Sequence, residues 1–162
     1  MVEIGEVAPD FELRDQHGQT VRLSDHRGRH EVLVVFFPFA FTPTCTGELG
    51  ELRDELAAAL DDGTAVLAVS CDPVSALRVF AEQQGLQYPV LSDFWPHGKV
   101  SRAYGVFLEH LGFATRGSFL VDRAGVVRWR VVNGPGEARS LDEYRSAIAA
   151  LRGGDARDAE RV

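Results

Sequence analysis

Thr42-Pro43-Thr44-Cys45 sets a hydroxyl, a proline and a thiol within one turn of chain, after an apolar run from Glu31 to Phe37 and before Leu49, Leu52, Leu56 and Leu60. The apolar run predicts a buried strand, and the leucine spacing predicts a helix from about Pro43 to Leu60. A thiol at such a strand-to-helix turn lies beside backbone N–H groups that lack intrahelical partners and carry the positive end of the helix dipole. Those groups favour thiolate over thiol, and thiolate is the nucleophile. Cys45 is therefore the candidate nucleophile. The bland readings stand beside it: a cysteine at a helix start also serves as a small core residue. Thr42 and Pro43 suit an N-cap and first helical position, and Glu48 suits the helix's positive end without any catalytic duty.

The elements that must hold this turn follow from the rest of the chain. Its 162 residues, 45% of them hydrophobic, have the length and apolar content of one domain with a sizeable core. The 17 basic and 24 acidic residues leave a formal charge of -7, which disfavours nucleic acid as a partner. The start, Met1 to Glu6, lacks a basic segment followed by an apolar one, and no apolar run approaches a membrane span, so the expectation is a cytoplasmic protein with no membrane partner. Two cysteines, Cys45 and Cys71, are too few for a disulfide scaffold and form no CxxC pair.

Phe11 and Leu13, then Val21 and Leu23, alternate around Gln16-His17-Gly18-Gln19 and predict a hairpin, with Ser24 a candidate helix cap beyond it. Asp61-Asp62-Gly63 closes the first long helix, and Ala65 to Ser70 predicts a strand buried on both faces with Cys71 at its end. Pro73 opens a helix from Val74 to Gln84 that Gly85 stops, Val90 to Ser92 forms a short strand, and Lys99 to Tyr104 a short helix. Ser118 to Val121 and Val126 to Val132 make a second hairpin, Gly134-Pro135-Gly136 a turn, and Leu141 to Leu151 a final helix. Residues 1–152 form one domain on this reading, and 153–162 a frayed or disordered tail. Alternating strands and helices followed by a hairpin and a helix give the α/β class: a thioredoxin-like three-layer sandwich with a central mixed sheet.

Pro38, Thr42 and Cys45 in the spacing Pro-x-x-x-Thr-x-x-Cys resemble the active-site motif of the peroxiredoxins, in the strand-loop-helix context that motif requires. Gly5 to Phe11, Leu91 to Gly98 and Arg116 to Asp122 are similar to that family as well, so the resemblance covers nearly the whole chain before the tail. The nearest subgroup is the one-cysteine alkyl hydroperoxide reductase E type. The resemblance implies a thiol-dependent peroxidase for hydrogen peroxide and organic hydroperoxides. Cys45 would be the peroxidatic cysteine, passing through a sulfenic acid. Thr42 would hydrogen-bond at the thiolate and the peroxide, and Arg116 would supply a fixed positive charge to both. Pro38 and Pro43 would shape the loop and limit water access, and Glu48 would orient the arginine. Outside that resemblance Arg116 reads as a surface arginine. The family also implies a low-molecular-weight thiol or small redoxin as reductant, a homodimer or higher homo-oligomer, and no cofactor.

Gly50 stands where some peroxiredoxins have a second cysteine, and Cys71 matches none of the positions used for resolving cysteines, so it is read as a buried thiol with a disulfide to Cys45 as the less favoured option. His17, His26, His30, His97 and His110 lie on expected loops without metal-ligand spacing, and Gly28 makes His26 and His30 a poor helical pair; no metal is expected. Phe94-Trp95 lines the catalytic pocket, lies in an oligomer interface or packs on the core. Two other functions fit a thioredoxin-like fold: a thiol-disulfide oxidoreductase using both cysteines, and a non-enzymatic redox sensor whose oxidised Cys45 changes partner binding.

Overall fold

The computed structural model describes residues 1–57 and 63–160, without the side chains of 57 and 154–160. The strand predicted after Glu31 is β3, Glu31–Phe36, and all six of its residues are buried. It pairs in parallel with β4, Thr64–Ser70, from Glu31 against Thr64 to Phe36 against Val69. Beyond β4 lie β5, Val90–Ser92, parallel to it, and then β1, Glu12–Arg14, and β2, Thr20–Arg22, the two arms of the first hairpin. The Asp15 carboxylate accepts the His17 and Gln19 amides at 2.9 Å each and closes that hairpin's turn.

Two short strands, β6 at Phe107–Leu108 and β7 at Phe113–Ala114, form a separate antiparallel ribbon that no alternation in the sequence announces. On the other side of β3 run β8, Arg116–Val121, and β9, Val127–Asn133, both antiparallel to their neighbours. The order β2-β1-β5-β4-β3-β8-β9 makes one mixed sheet, as the sequence leads one to expect.

The pleat divides the core in two. Leu33 and Val35 of β3 and Val66 and Ala68 of β4 meet Cys45, Leu49, Leu77, Phe80, Tyr144 and Ile148 on one face. Val32, Val34 and Phe36 with Leu67 and Val69 meet Val2, Phe11, Val100 and Tyr104 on the other. Hence α1 (Pro43–Glu51), α2 (Val74–Gln84) and α4 (Leu141–Glu160) cover one side, while α3 (Lys99–Tyr104) and the N-terminal segment cover the opposite one. This is the three-layer arrangement.

The structure departs from the expected elements in three places. The first long helix keeps α geometry only to Glu51 and winds as a π-helix over Leu52–Ala57. At that transition the buried Tyr88 hydroxyl donates to the Leu49 carbonyl at 2.8 Å, taking an acceptor where the ladder widens. Leu60 and the Asp61-Asp62 stop lie outside the described residues. Ser24 caps nothing; it sits inside a 3-10 turn, Leu23–His26, with its amide on the Asp10 carboxylate at 3.0 Å. Finally, α4 runs on past its expected end at Leu151, through Gly153 and Gly154 to Glu160, since extending a nucleated helix adds a hydrogen bond per residue, which offsets the cost of about 1 kcal/mol per glycine.

Candidate active site

Cys45 is the third residue of α1 and is fully buried. Thr42 takes the N-cap position in extended backbone, Pro43 follows it, and the first helical bond runs from the Thr46 amide to the Thr42 carbonyl at 2.9 Å. The Thr44 and Cys45 amides therefore stand ahead of the helical ladder, where the dipole is positive. The Thr42 hydroxyl donates back to the Phe39 carbonyl at 3.0 Å, so its proton is spent on the loop and not on the sulfur in this structure. It makes no side-chain cap bond either.

The loop from β3 to α1 is tight. Pro38 stands at its start and is buried, and Ala40 packs into the cluster that contains Cys45. Phe41 adopts a φ of 70°, in the left-handed region that costs a residue with a Cβ about 1–2 kcal/mol. The Phe41 ring leans on Phe80 at 5.2 Å between centroids, and the Phe39 ring on Phe113 at 4.7 Å. The Ala40 amide donates to the Asp72 carboxylate at 2.9 Å.

Arg116, the first residue of β8, reaches this turn from the strand beside β3. Its Nη2 donates to the Cys45 Sγ at 3.2 Å, its Nη1 to the Glu48 carboxylate, and its Nε to the Pro135 carbonyl at 2.7 Å. Only 2% of it is exposed. Glu48, one helical turn past Cys45, thus accepts from the same guanidinium that reaches the sulfur. The Gly134-Pro135-Gly136 turn, which carries no motif, supplies a third fixing point.

A second guanidinium, Arg139, is the part of the site that the sequence reading missed. Its backbone amide and Nε donate to Glu48 Oε2 at 2.6 and 3.0 Å, and its Nη2 to Oε1 at 2.9 Å. Its Nη1 donates to the Phe36 and Gly117 carbonyls and to the Ser118 hydroxyl, which meets the Tyr144 hydroxyl at 2.8 Å. An arginine in the polar stretch before α4 carries no local mark of burial; only the fold places it between two strands.

Burial alone would push the Glu48 carboxyl up, but the hydrogen bonds and charge of Arg139, with the charge of Arg116, outweigh burial and hold it below its ordinary value. An ionised Glu48 between two guanidiniums leaves one positive charge over, next to the sulfur. That charge faces the Cys45 sulfur at 3.2 Å. The arrangement can hold a sulfur nucleophile and a developing negative charge with donors already in place.

Cys71 stands apart. Beyond β4 it keeps the phase of Leu67 and Val69, which point away from the Cys45 face, and its thiol meets the Ser101 hydroxyl and the backbone of Ala114, on the α3 side. Burial first, then the nearby Asp93 carboxylate, pushes this thiol up to about 11. The two free cysteines thus lie on opposite faces of the sheet.

Among the other expected features, His26 and His30 do come together, their Nδ1 atoms 3.1 Å apart, through the turn after the 3-10 segment rather than along a helix. Among the described residues no three histidine, cysteine or acidic side chains converge as metal ligands. Phe94 and Trp95 are 47% and 81% exposed, so they do not pack on the core.

Residues 4–130 match the AhpC/TSA family. Alkyl hydroperoxide reductase E of Mycobacterium tuberculosis is 50% identical over 151 residues, which span 93% of this chain and 99% of that one. Two solved structures share the thioredoxin-like fold. The peroxidoxin BcpB from Mycobacterium tuberculosis superposes with a TM-score of 0.80 at 30% identity, covering 94% of this chain and 98% of that chain. The AhpC of Enterococcus faecalis gives 0.84 at 29% identity, covering 96% of each.

Proposed function

This chain belongs to the AhpC/TSA family and is a peroxiredoxin, and on that premise we propose that Cys45 is the peroxidatic nucleophile of a thiol-dependent peroxidase for hydrogen peroxide and organic hydroperoxides. The observation that carries the reading is the Arg116 guanidinium on the Cys45 sulfur, itself held by Glu48.

In the first half-reaction the Cys45 thiolate attacks the terminal oxygen of a hydroperoxide. An S–O bond forms as the O–O bond breaks, the sulfur is oxidised, and the leaving alkoxide or hydroxide takes a proton to depart as alcohol or water. Negative charge moves from sulfur to the leaving oxygen, and Arg116, placed at the sulfur, and the turn amides of Thr44 and Cys45 serve it along the way. On this reading Thr42 gives up its bond to the Phe39 carbonyl and offers its proton to the peroxide. In the second half-reaction one external thiol displaces water from the sulfenic acid to give a mixed disulfide. A second thiol then releases Cys45 and leaves with the first as a disulfide.

The reductant in this reading is a low-molecular-weight thiol or a small redoxin, since Cys71 lies across the sheet. The exposed aromatic rings of Phe39, Phe41, Phe94 and Trp95 support a homodimer or higher homo-oligomer, and Phe39 and Phe41 also suit apolar alkyl hydroperoxides. The reading extends to a cytoplasmic setting, which the two free thiols support. Peroxide consumption with dithiothreitol as reductant tests the whole: Cys45→Ser abolishes it and Cys71→Ser largely preserves it, whereas equal loss in both variants contradicts the one-cysteine route.

A further inference from the structure

Between the end of β3 and the start of α1 the chain carries Pro38, which has no amide proton, and the left-handed Phe41, followed by Thr42. The Phe37 amide is still held by the Val69 carbonyl at 2.9 Å, and at the far end the Thr42 carbonyl accepts from Thr46. Midway, the Ala40 amide crosses to the turn between β4 and α2 and donates to Asp72 Oδ2 at 2.9 Å. That oxygen also accepts the buried Ser70 hydroxyl at 2.7 Å, and the Asp72 carbonyl accepts the Ser92 hydroxyl at 2.6 Å. Asp72 is therefore anchored from the ends of two neighbouring strands before it touches the loop.

We propose that Asp72 is a positioning residue for Cys45: its carboxylate clasps the Ala40 amide and so holds the loop bearing Pro38, Phe41 and Thr42 closed over the buried sulfur. The proposal rests on the peroxidase reading above. A charge-assisted bond to a backbone amide is strong for its kind, and it acts at the residue next to the strained Phe41. Without it the loop loses its tie to the neighbouring turn and keeps the local bond from the Thr42 hydroxyl to the Phe39 carbonyl, so the segment from Pro38 to Thr42 is freer to move off the sulfur. The consequence has opposite signs in the two half-reactions. Attack on a hydroperoxide needs the closed, preorganised loop and slows, whereas reduction by a thiol needs access to a sulfenic acid on a fully buried Cys45 and speeds up.

The test is stopped-flow measurement of both half-reactions in Asp72→Ala and Asp72→Asn, with hydrogen peroxide as oxidant and dithiothreitol as reductant, together with amide hydrogen exchange at Ala40. Asp72→Ala should lower the peroxide rate constant about tenfold, raise that for reduction several-fold and speed Ala40 exchange. Asp72→Asn keeps an acceptor oxygen and should recover most of each. Should Asp72→Ala fail to fold, Ser70→Ala, which removes one anchor of the same oxygen, should move all three readouts in the same directions by less. Half-reactions unchanged, or both slowed together, with Ala40 exchange unmoved in the variants that fold, overturn the proposal while leaving the peroxidase reading intact. A wild-type Cys45 that peroxide does not oxidise overturns both.

Discussion

Arg116 Nη2 lies 3.2 Å from the Cys45 sulfur although 71 residues of sequence separate them. The contact exists because β8 runs beside β3 and starts at the level where β3 hands the chain to the loop before α1. Arg116 is fixed there by Glu48 on one side and the Pro135 carbonyl on another.

Replacing Arg116 by methionine removes a charged donor from the sulfur while leaving Glu48 paired with Arg139. A charge-assisted hydrogen bond is worth about 1.5–3 kcal/mol, so the second-order rate constant with hydrogen peroxide should fall roughly 10- to 150-fold. Arg116→Lys should recover only part, since an ammonium cannot span Cys45, Glu48 and Pro135 in the fork geometry of a guanidinium. Stopped-flow fluorescence with circular dichroism as a folding control measures both.

Glu48→Gln leaves two buried guanidiniums without their shared carboxylate, and chemical denaturation should show a loss on the order of 3 kcal/mol at pH 7. The pH dependence has a definite sign. Because the folded protein holds the Glu48 carboxyl below its ordinary value of 4.5, its contribution is complete above that value and is lost as pH falls through the lower, folded one. Melting temperatures of wild type and variant should therefore run parallel from neutrality down to about pH 5 and converge below it. A gap that stays constant into the acid range would show that the carboxylate charge is not what the arginines need.

With its thiol pushed up to about 11 from an ordinary 9.0, Cys71 presents roughly a hundredfold less thiolate at neutral pH than an unperturbed cysteine. Iodoacetamide at pH 7 followed by peptide mapping should label Cys45 and leave Cys71 intact until the protein is unfolded. Preferential labelling of Cys71 would contradict its placement.

What the sequence discloses of this site is what lies within one strand, one loop and the first turn of a helix. Thr42, Pro43 and Cys45 are readable locally as the cap, first residue and thiol of one helix start, while the roles of Pro38 and Glu48 enter through the resemblance. Arg116 is readable only through resemblance, since no local pattern distinguishes a buried arginine from an exposed one. Arg139 and Asp72 go unread for the same reason: their partners, Glu48 and Ala40, lie 91 and 32 residues away. In the fold, the long buried strands follow from composition, while the π-helix over Leu52–Ala57 begins beside a long-range bond from the Tyr88 hydroxyl to the Leu49 carbonyl, and two-residue strands such as Phe107–Leu108 are too short to show a period.

The central claim is that Cys45 alone carries the oxidised intermediate. Fully reduced protein should be given one equivalent of hydrogen peroxide with a sulfenic-acid trapping reagent present, and its intact mass and peptide map recorded. A single trapped adduct on Cys45, with Cys71 unmodified, is the expected result. A species two hydrogens lighter that links Cys45 to Cys71, or a Cys45 that peroxide leaves untouched, would contradict the account.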